Sequence, residues 1–270
     1  MNELIESVSQ YLDMIMSPHH SETPDLRNKL YRGQSKLASS EGYKLISGLG
    51  RLCTAENYAE KEKEAHDTFR NQVVANIPFH PQNAWEVLAL AQHHGVPTRF
   101  LDWSRNPLVA LYFAVRNPRY DDKEVSAVYV LTRENRTYDA IIRQHKQQKK
   151  DNMEKDKGRS KRITAIESEQ IRVLSENYDL SPFDITEDVI FDPPHVSPRI
   201  RAQDGVLLAC HNPIMEIPAE SYVELKIAPA KRKHIRHELE IYGVFDKQLF
   251  PDLDGLAKWL KFKIFEHEEI

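Results

Sequence analysis

The chain has 270 residues, of which 40% are hydrophobic and 29% charged, and its formal net charge is −4. These fractions are those of an ordinary globular protein, so they exclude disorder along the whole chain. The small net charge by itself predicts neither a nucleic-acid nor a membrane partner.

The cysteines and the apolar segments favour a reducing compartment. Cys53 and Cys210 lie far apart in the sequence, which excludes a zinc-knuckle spacing and any disulfide framework beyond one bridge. Residues 1–15 carry acids where a secretory signal would have a basic leader and an apolar run. No stretch approaches the roughly 20 apolar residues of a membrane span. We therefore expect a soluble, cytoplasmic protein without a membrane partner.

The pattern of apolar residues predicts interspersed helices and strands. The N-terminal segment, residues 1–24, contains an amphipathic helix. Further helices are predicted over residues 55–76, from Asn83 to a stop at Gly95, and over residues 107–115, 231–239 and 256–265. Strands are predicted over residues 29–34, with a turn at Gly33, and over residues 125–131, 206–209, 222–227 and 241–245.

These elements predict an α+β fold with one domain over residues 25–260 and a tail over 261–270. We expect a central mixed or antiparallel sheet flanked by helices. A charged insertion, residues 143–162, has nine basic and three acidic side chains. It fits a solvated helix or loop, or alternatively an arm that contacts nucleic acid or another acidic partner.

Polar residues concentrate in two segments, Tyr31–Gln34 and residues 91–115. The second places histidines, arginines, Asp102 and Ser104 around a Gly and a Pro between two apolar helices, where irregular backbone commonly displays binding residues. Neither segment contains a P-loop, a dinucleotide fingerprint or a metal-ligand spacing, so we expect no metal.

The same two segments resemble the FRG-domain family, which is named after a Phe-Arg-Gly motif that reads Tyr-Arg-Gly here. The longer motif, AQHHGVPTRFLDWS followed by NPLVALYFA, is specific to that family, and the resemblance covers roughly residues 25–260. Family members recur in bacterial and phage-related genomes. The resemblance therefore implies a toxin or antiphage-defence effector.

The order of elements also resembles ADP-ribosyltransferases, which implies NAD as substrate and a fold of that type. Carried over residue by residue, Arg32 would anchor the ligand, Ser104 would brace the nicotinamide pocket, and Gln203 would open the acidic motif. Gly205 stands where that motif has its catalytic Glu, with Asp204 beside it.

From these residues we predict a single site. Arg32, His94, Asp102 and Ser104 should converge on one pocket. Glu238 and Glu240 are reserve candidates for the acid. The predicted catalytic residues are His94, Asp102 and Asp204, and the predicted ligand-binding residues are Tyr31, Arg32, Gly33, Gln34, Thr98, Arg99, Trp103, Ser104 and Gln203.

Structural roles are open for several of these residues. Asp102 should be at least partly buried and paired with Arg99 or Arg32. His94 could cap a helix end, and Trp103 could belong to the core.

Three functions follow. The leading one is a nucleotide-binding enzyme that transfers ADP-ribose to a macromolecule or hydrolyses NAD. The second is a nuclease-type toxin in which Arg32 and His94 act on phosphate. The third is a ligand-binding regulator without catalysis, which the glycine at position 205 suggests.

Overall fold

The computed structural model describes residues 3–17, 25–73, 75, 77, 81–116, 123–157, 180–193 and 198–265. Within them, ten α-helices surround a seven-stranded sheet, which confirms the predicted α+β class. The strands are β1 (Leu30–Gln34), β2 (Phe100–Ser104), β3 (Ser126–Leu131), β4 (Arg136–Thr137), β5 (Val189–Phe191), β6 (Gly205–Ala209) and β7 (Tyr222–Ile227). The helices are α1 (Val8–Met16), α2 (Gly48–Leu52), α3 (Tyr58–Val73), α4 (Ala84–His93), α5 (Pro107–Val115), α6 (Tyr138–Lys157), α7 (Pro198–Ala202), α8 (Arg232–Ile241), α9 (Asp246–Leu249) and α10 (Leu253–Phe265).

The sheet has the strand order β4-β5-β6-β2-β1-β3-β7. Its neighbouring strands are antiparallel, except that β4 runs parallel to β5. β1 and β2 therefore lie at the centre of a mixed sheet, although they are far apart in the sequence. None of the described helices combines the length and the apolar character that a bilayer span requires.

The N-terminal segment belongs to the main core. The buried residues Ile5, Val8, Tyr11 and Ile15 pack in the same cluster as α5, α8 and strands β3 and β7. Ile5 also forms a parallel bridge with Ile227 of β7. The segment is thus held by both apolar and backbone contacts.

Two helices end in Schellman motifs, in which a glycine takes the left-handed conformation just past the helix. After α4, Gly95 has a φ of +87° and Val96 N–H donates to the Ala91 carbonyl at 2.9 Å. This confirms the predicted stop. After α8, Gly243 has a φ of +78°, and Val244 N–H donates to the Leu239 carbonyl at 2.8 Å.

The predicted strand over residues 241–245 is therefore wrong. Ile241 ends α8, and its side chain is 87% exposed. The apolar run Ile-Tyr-Gly-Val-Phe has the composition of a strand, but the glycine within it serves as the helix terminator. Local composition could not distinguish the two.

The charged insertion lies partly outside the described residues, which end at residue 157 and resume at 180. Its first part is helical and belongs to α6. Tyr138, at the start of this helix, packs against Trp85 with ring centroids 5.0 Å apart. Arg143, Lys146 and Lys150 are exposed. The described part of the insertion is thus a solvated helix anchored at its N-terminal end.

Arg99 forms a buried ion pair that ties α3 to the start of β2. Its Nε donates to Glu62 Oε1 at 3.0 Å, and its backbone N–H donates to the same oxygen at 3.2 Å. The two side chains are only 3% and 1% exposed. Arg99 is therefore a structural residue, and its predicted pairing with Asp102 does not occur.

Gly33 lies in the middle of β1, so the turn predicted there is wrong. The reason for glycine is the close approach of α5. A Cβ at position 33 would lie 1.8 Å from the carbonyl oxygen of Ala110 and 2.7 Å from the amide nitrogen of Ala114. The helix backbone thus rests directly on the strand, which no residue with a Cβ permits.

We expect Gly33→Ala to lower the free energy of unfolding by about 3 kcal/mol or more, because backbone atoms of α5 must move to make room. Gly205→Ala is the matched control, since a Cβ there would lie 3.6 Å from its nearest neighbour, the Ile200 carbonyl oxygen. Denaturant unfolding measures both variants. Equal stability of the two would contradict the packing role of Gly33.

We expect Glu62→Gln to lower the free energy of unfolding by about 3–5 kcal/mol, because it leaves the Arg99 charge buried without a counter-charge. Glu60→Gln on the same helix is the control, since Glu60 is exposed. Calorimetric melting measures the difference. A drop in melting temperature shared by both variants would mean that the ion pair is not its cause.

Candidate functional site

A cleft opens at the centre of the sheet, where β1 and β2 separate. These strands pair only between Tyr31 and Ser104. β1 stays in register with β3 from Leu30 to Gln34, and β2 with β6 from Phe100 to Ser104. The resulting cleft has a volume of about 840 Å³, which is typical of sites for nucleotide-sized ligands.

Most of the predicted site residues line this cleft. The structure brings together Tyr31, Arg32, Gly33, Gln34, Asp102, Trp103, Ser104 and Gln203. It leaves His94, Thr98, Arg99 and Asp204 out of the lining. The expected convergence thus holds for Arg32, Asp102 and Ser104, but not for His94.

Arg32 bridges the two separating strands. Its Nη1 donates to the backbone carbonyl oxygen of Asp102 at 2.6 Å, where a strand-to-strand hydrogen bond is missing. Its Nε is buried and has no hydrogen-bond partner among the described residues. Loss of hydration lowers the pKa of Arg32, while the charge of Asp102 opposes that shift. The guanidinium stays protonated, since its ordinary pKa lies far above neutrality.

Asp102 is exposed in the cleft, which corrects the expectation of a buried carboxylate. Its Oδ2 accepts a hydrogen bond of 3.0 Å from Gln92 Nε2. Gln92 is oriented in turn by the buried Thr98, whose hydroxyl donates to Gln92 Oε1 at 2.8 Å. Thr98 therefore acts on the cleft through Gln92. The side-chain partner of this carboxylate is thus a neutral amide.

Sequence reasoning missed Gln92 and chose His94, which lies outside the cleft, in place of His93. α4 ends at His93, which lines the cleft, whereas His94 caps the helix and is exposed outside it. The cleft-facing side of α4 carries Ala89, Gln92 and His93, whereas His94 lies past the last helical residue. Knowing which face of α4 carries the buried residues would have identified Gln92 and His93.

His93 is neutral at neutral pH. Loss of hydration lowers its pKa, His94 and the positive charge of Arg199 lower it further, and Asp102 opposes them. A neutral imidazole beside a carboxylate can accept a proton from a reacting group.

The acidic residues are placed differently from the expectation. Asp204 is exposed and has a φ of +45°. Glu238 accepts from Val8 N–H at 2.8 Å and Glu240 from Trp259 Nε1 at 3.1 Å, and neither lines the cleft. Asp246 does line it, but Arg236 neutralises this carboxylate at 2.9 Å. Among the described residues, Asp102 is the one acid in the lining without a cationic partner within ion-pair distance.

Ser104 braces the walls of the cleft. Its hydroxyl donates to the Gln203 carbonyl at 2.7 Å and accepts from Asn106 N–H at 3.0 Å. These bonds join β2 to the turn before β6 and to the start of α5. The hydroxyl is therefore engaged within the protein.

Trp103 belongs to the core and to the cleft lining at once. Its side chain is 3% exposed and packs in the cluster that contains Leu101 and Tyr129. Its Nε1 is buried without a hydrogen-bond partner in the described part of the chain. Arg32 Nε and Trp103 Nε1 are thus two buried donors in the cleft wall that lack an acceptor among the described residues.

Positive charge dominates the lining. The cations are Arg32, Arg116, Arg199, Arg236, Lys258 and Lys261, against the acids Asp102 and Asp246. Cations and unpaired donors together suit an anionic ligand rich in oxygen acceptors. Among the described residues, no group of three metal-ligating side chains could hold a metal ion.

Comparison with known proteins gives one match. No curated protein and no solved structure is similar enough to the chain to count as a match. Residues 27–123 match the family model of the FRG domain. This segment contains β1, α4, β2 and α5, and with them Arg32, Gln92, His93 and Asp102. Residues 27–123 of the chain are therefore identified as an FRG domain.

Proposed function

We propose that the cleft binds a nucleotide with a pyrophosphate group, NAD being the leading candidate, and that the protein cleaves or transfers its ADP-ribosyl group. The observation that carries this proposal is the combination of excess cations with two buried donors, Arg32 Nε and Trp103 Nε1, that lack acceptors. Phosphate and ribose oxygens would supply those acceptors.

Asp102 and His93 supply the groups that this reaction needs. The bond between ribose C1′ and the nicotinamide nitrogen breaks, and its electron pair leaves with neutral nicotinamide. The carboxylate of Asp102 stabilises the positive charge that develops on the ribose. Water, or a hydroxyl of a macromolecular target, forms the new C1′–oxygen bond and passes its proton to His93. Asp102 thus takes the role that the expected acid at position 205 would have had.

Such a reaction consumes NAD or modifies a macromolecule, and either activity suits a toxin or antiphage-defence effector. We propose this class for the chain, and the FRG domain at residues 27–123 and the cationic cleft support the proposal. A regulator that binds the nucleotide without turnover uses the same contacts, so turnover must be measured separately from binding.

The nuclease alternative rests on the same cations. Arg199 and His93 could contact the phosphate of an RNA strand in place of a pyrophosphate. The two functions differ in product, because a nuclease releases shorter RNA whereas the proposed reaction releases nicotinamide.

We expect Asp102→Asn to separate binding from turnover. The amide keeps the shape and the Gln92 contact but removes a negative charge, so ADP-ribose should bind about threefold tighter or more. Nicotinamide release should fall about 100-fold or more. Calorimetry and chromatography of the products measure the two effects.

Glu220→Gln is the control for this change in charge, because Glu220 is exposed and lies outside the cleft. It should alter neither quantity. Wild-type protein that binds ADP-ribose but releases no nicotinamide, alone or with a cell extract as target, would point to the regulator. RNA cleavage without ADP-ribose binding would point to the nuclease.

We expect ADP-ribose binding to tighten about three- to tenfold as the pH falls from about 7.5 to about 5.5. The pKa of His93 is below its ordinary value in the free protein, and a bound anion would raise it. The complex therefore takes up a proton in this window, and affinity rises as pH falls. The pyrophosphate diester itself keeps a constant charge there.

His93→Asn should make the affinity nearly independent of pH, while His94→Asn should keep the dependence. Asp102, Arg199 and His94 are the charged or titratable groups whose charges act on His93. If the pH dependence of ADP-ribose affinity survives His93→Asn, a group other than His93 causes it.

A further inference from the structure

Three cations gather around one buried ring at the end of the cleft formed by α5, α7 and α10. The ring of Phe250 is 4% exposed. The guanidinium carbon of Arg199 lies 4.7 Å from its centroid, that of Arg116 5.5 Å, and Lys258 Nζ 5.6 Å. We call Arg116, Arg199 and Lys258 the Phe250 cluster.

The Phe250 cluster has no counter-charge of its own. No carboxylate among the described residues lies within ion-pair distance of Arg116, Arg199 or Lys258. The nearby Arg236 differs, because its charge is neutralised by Asp246 at 2.9 Å. The fold therefore neutralises Arg236, whereas the three cations around the Phe250 ring have no carboxylate within ion-pair distance among the described residues.

The aromatic ring compensates this repulsion only in part. The face of an aromatic ring attracts a cation, but the ring carries no net negative charge that could neutralise three cations. Arg116 lies against a second ring, that of Phe113, at 4.7 Å. Its pKa is nevertheless lowered by loss of hydration; Tyr112 and Asp246 oppose this shift, and the positive charges of Arg199 and Arg236 add to it. An anion bound among the three would relieve this repulsion.

We propose that the Phe250 cluster is the subsite for the two adjacent phosphates of a nucleoside diphosphate moiety. Three converging cations match the charge of a diphosphate better than that of a single phosphate. This subsite rests on the proposed function, since it places the pyrophosphate of the same nucleotide.

The subsite also orients the ligand. His93 lines the same cleft as Arg199 of the Phe250 cluster and Asp102, and the charges of both act on its pKa. The diphosphate occupies the Phe250 end, and the glycosidic bond lies at the Asp102 end. Arg32, which already donates to the Asp102 carbonyl, then contacts the ribose side of the ligand, while Arg199 and Lys258 hold the pyrophosphate.

The test uses the full chain and a series of probes that differ in phosphate count. Adenosine, AMP, ADP and inorganic pyrophosphate are titrated by calorimetry into wild type, Arg199→Gln and Lys258→Gln. Lys263→Gln is the matched control, because Lys263 lies on the same helix as Lys258 and its Nζ lies 4.8 Å from the Trp259 ring centroid, outside the cleft. Melting temperatures show that each variant folds.

Wild type should bind ADP and pyrophosphate about tenfold tighter than AMP. Each cluster variant should weaken ADP and pyrophosphate binding about tenfold, as expected for a lost charge-assisted contact. Adenosine binding should change less than twofold, and Lys263→Gln should match wild type.

Other results would overturn the subsite or separate it from the proposed function. ADP that binds wild type and both cluster variants equally would overturn the subsite and leave the proposed function standing. If pyrophosphate binding depends on Arg199 and Lys258 but no nucleotide binds, the subsite is supported and the proposed function fails. An equal loss of ADP and pyrophosphate affinity in Lys263→Gln would mean that only net charge matters, and would overturn the subsite. If none of the probes binds wild type, the subsite is also rejected.

Discussion

The absence of a side chain at Gly33 is the constraint on which the centre of this structure depends. Because no Cβ separates them, the backbone of α5 rests directly on β1, within 1.8 Å of where a Cβ would stand. This contact holds one wall of the cleft next to the helix that carries Arg116 at its end. The glycine of the Tyr-Arg-Gly motif is thus a packing requirement, and it shapes the site without contacting a ligand through a side chain.

The second feature is the separation of two central strands, which costs backbone hydrogen bonds. Unpaired backbone groups must find other partners. Arg32 supplies one by donating to the Asp102 carbonyl, so the same residue stabilises the opening and lines it. Structural and functional interpretations of Arg32 are therefore compatible, because a guanidinium can bond to the protein with one nitrogen and retain donors on the others.

Charge is distributed in two ways in this fold. Away from the cleft, Arg99 and Glu62 form a buried ion pair. In the cleft, the Phe250 cluster brings cations together without carboxylates, and Asp102 is held by an amide in place of a cation. Like charges that lie close together without counter-ions repel one another. A cleft that concentrates such groups gains more from a complementary ligand than a neutral cleft would.

The sequence by itself determined the α+β class, most helix and strand positions and the FRG motif, because periodicity and glycine placement act over a few residues. It also identified Arg32, Asp102 and Ser104 as neighbours in one site. Only the tertiary structure decided that His93 faces the cleft in place of His94, that Arg99 pairs with Glu62, and that the Phe250 cluster exists. The ion pair and the Phe250 cluster join residues from distant segments of the chain. The orientation of α4 against the sheet decides which histidine faces the cleft. These outcomes depend on long-range packing, which local sequence patterns do not encode.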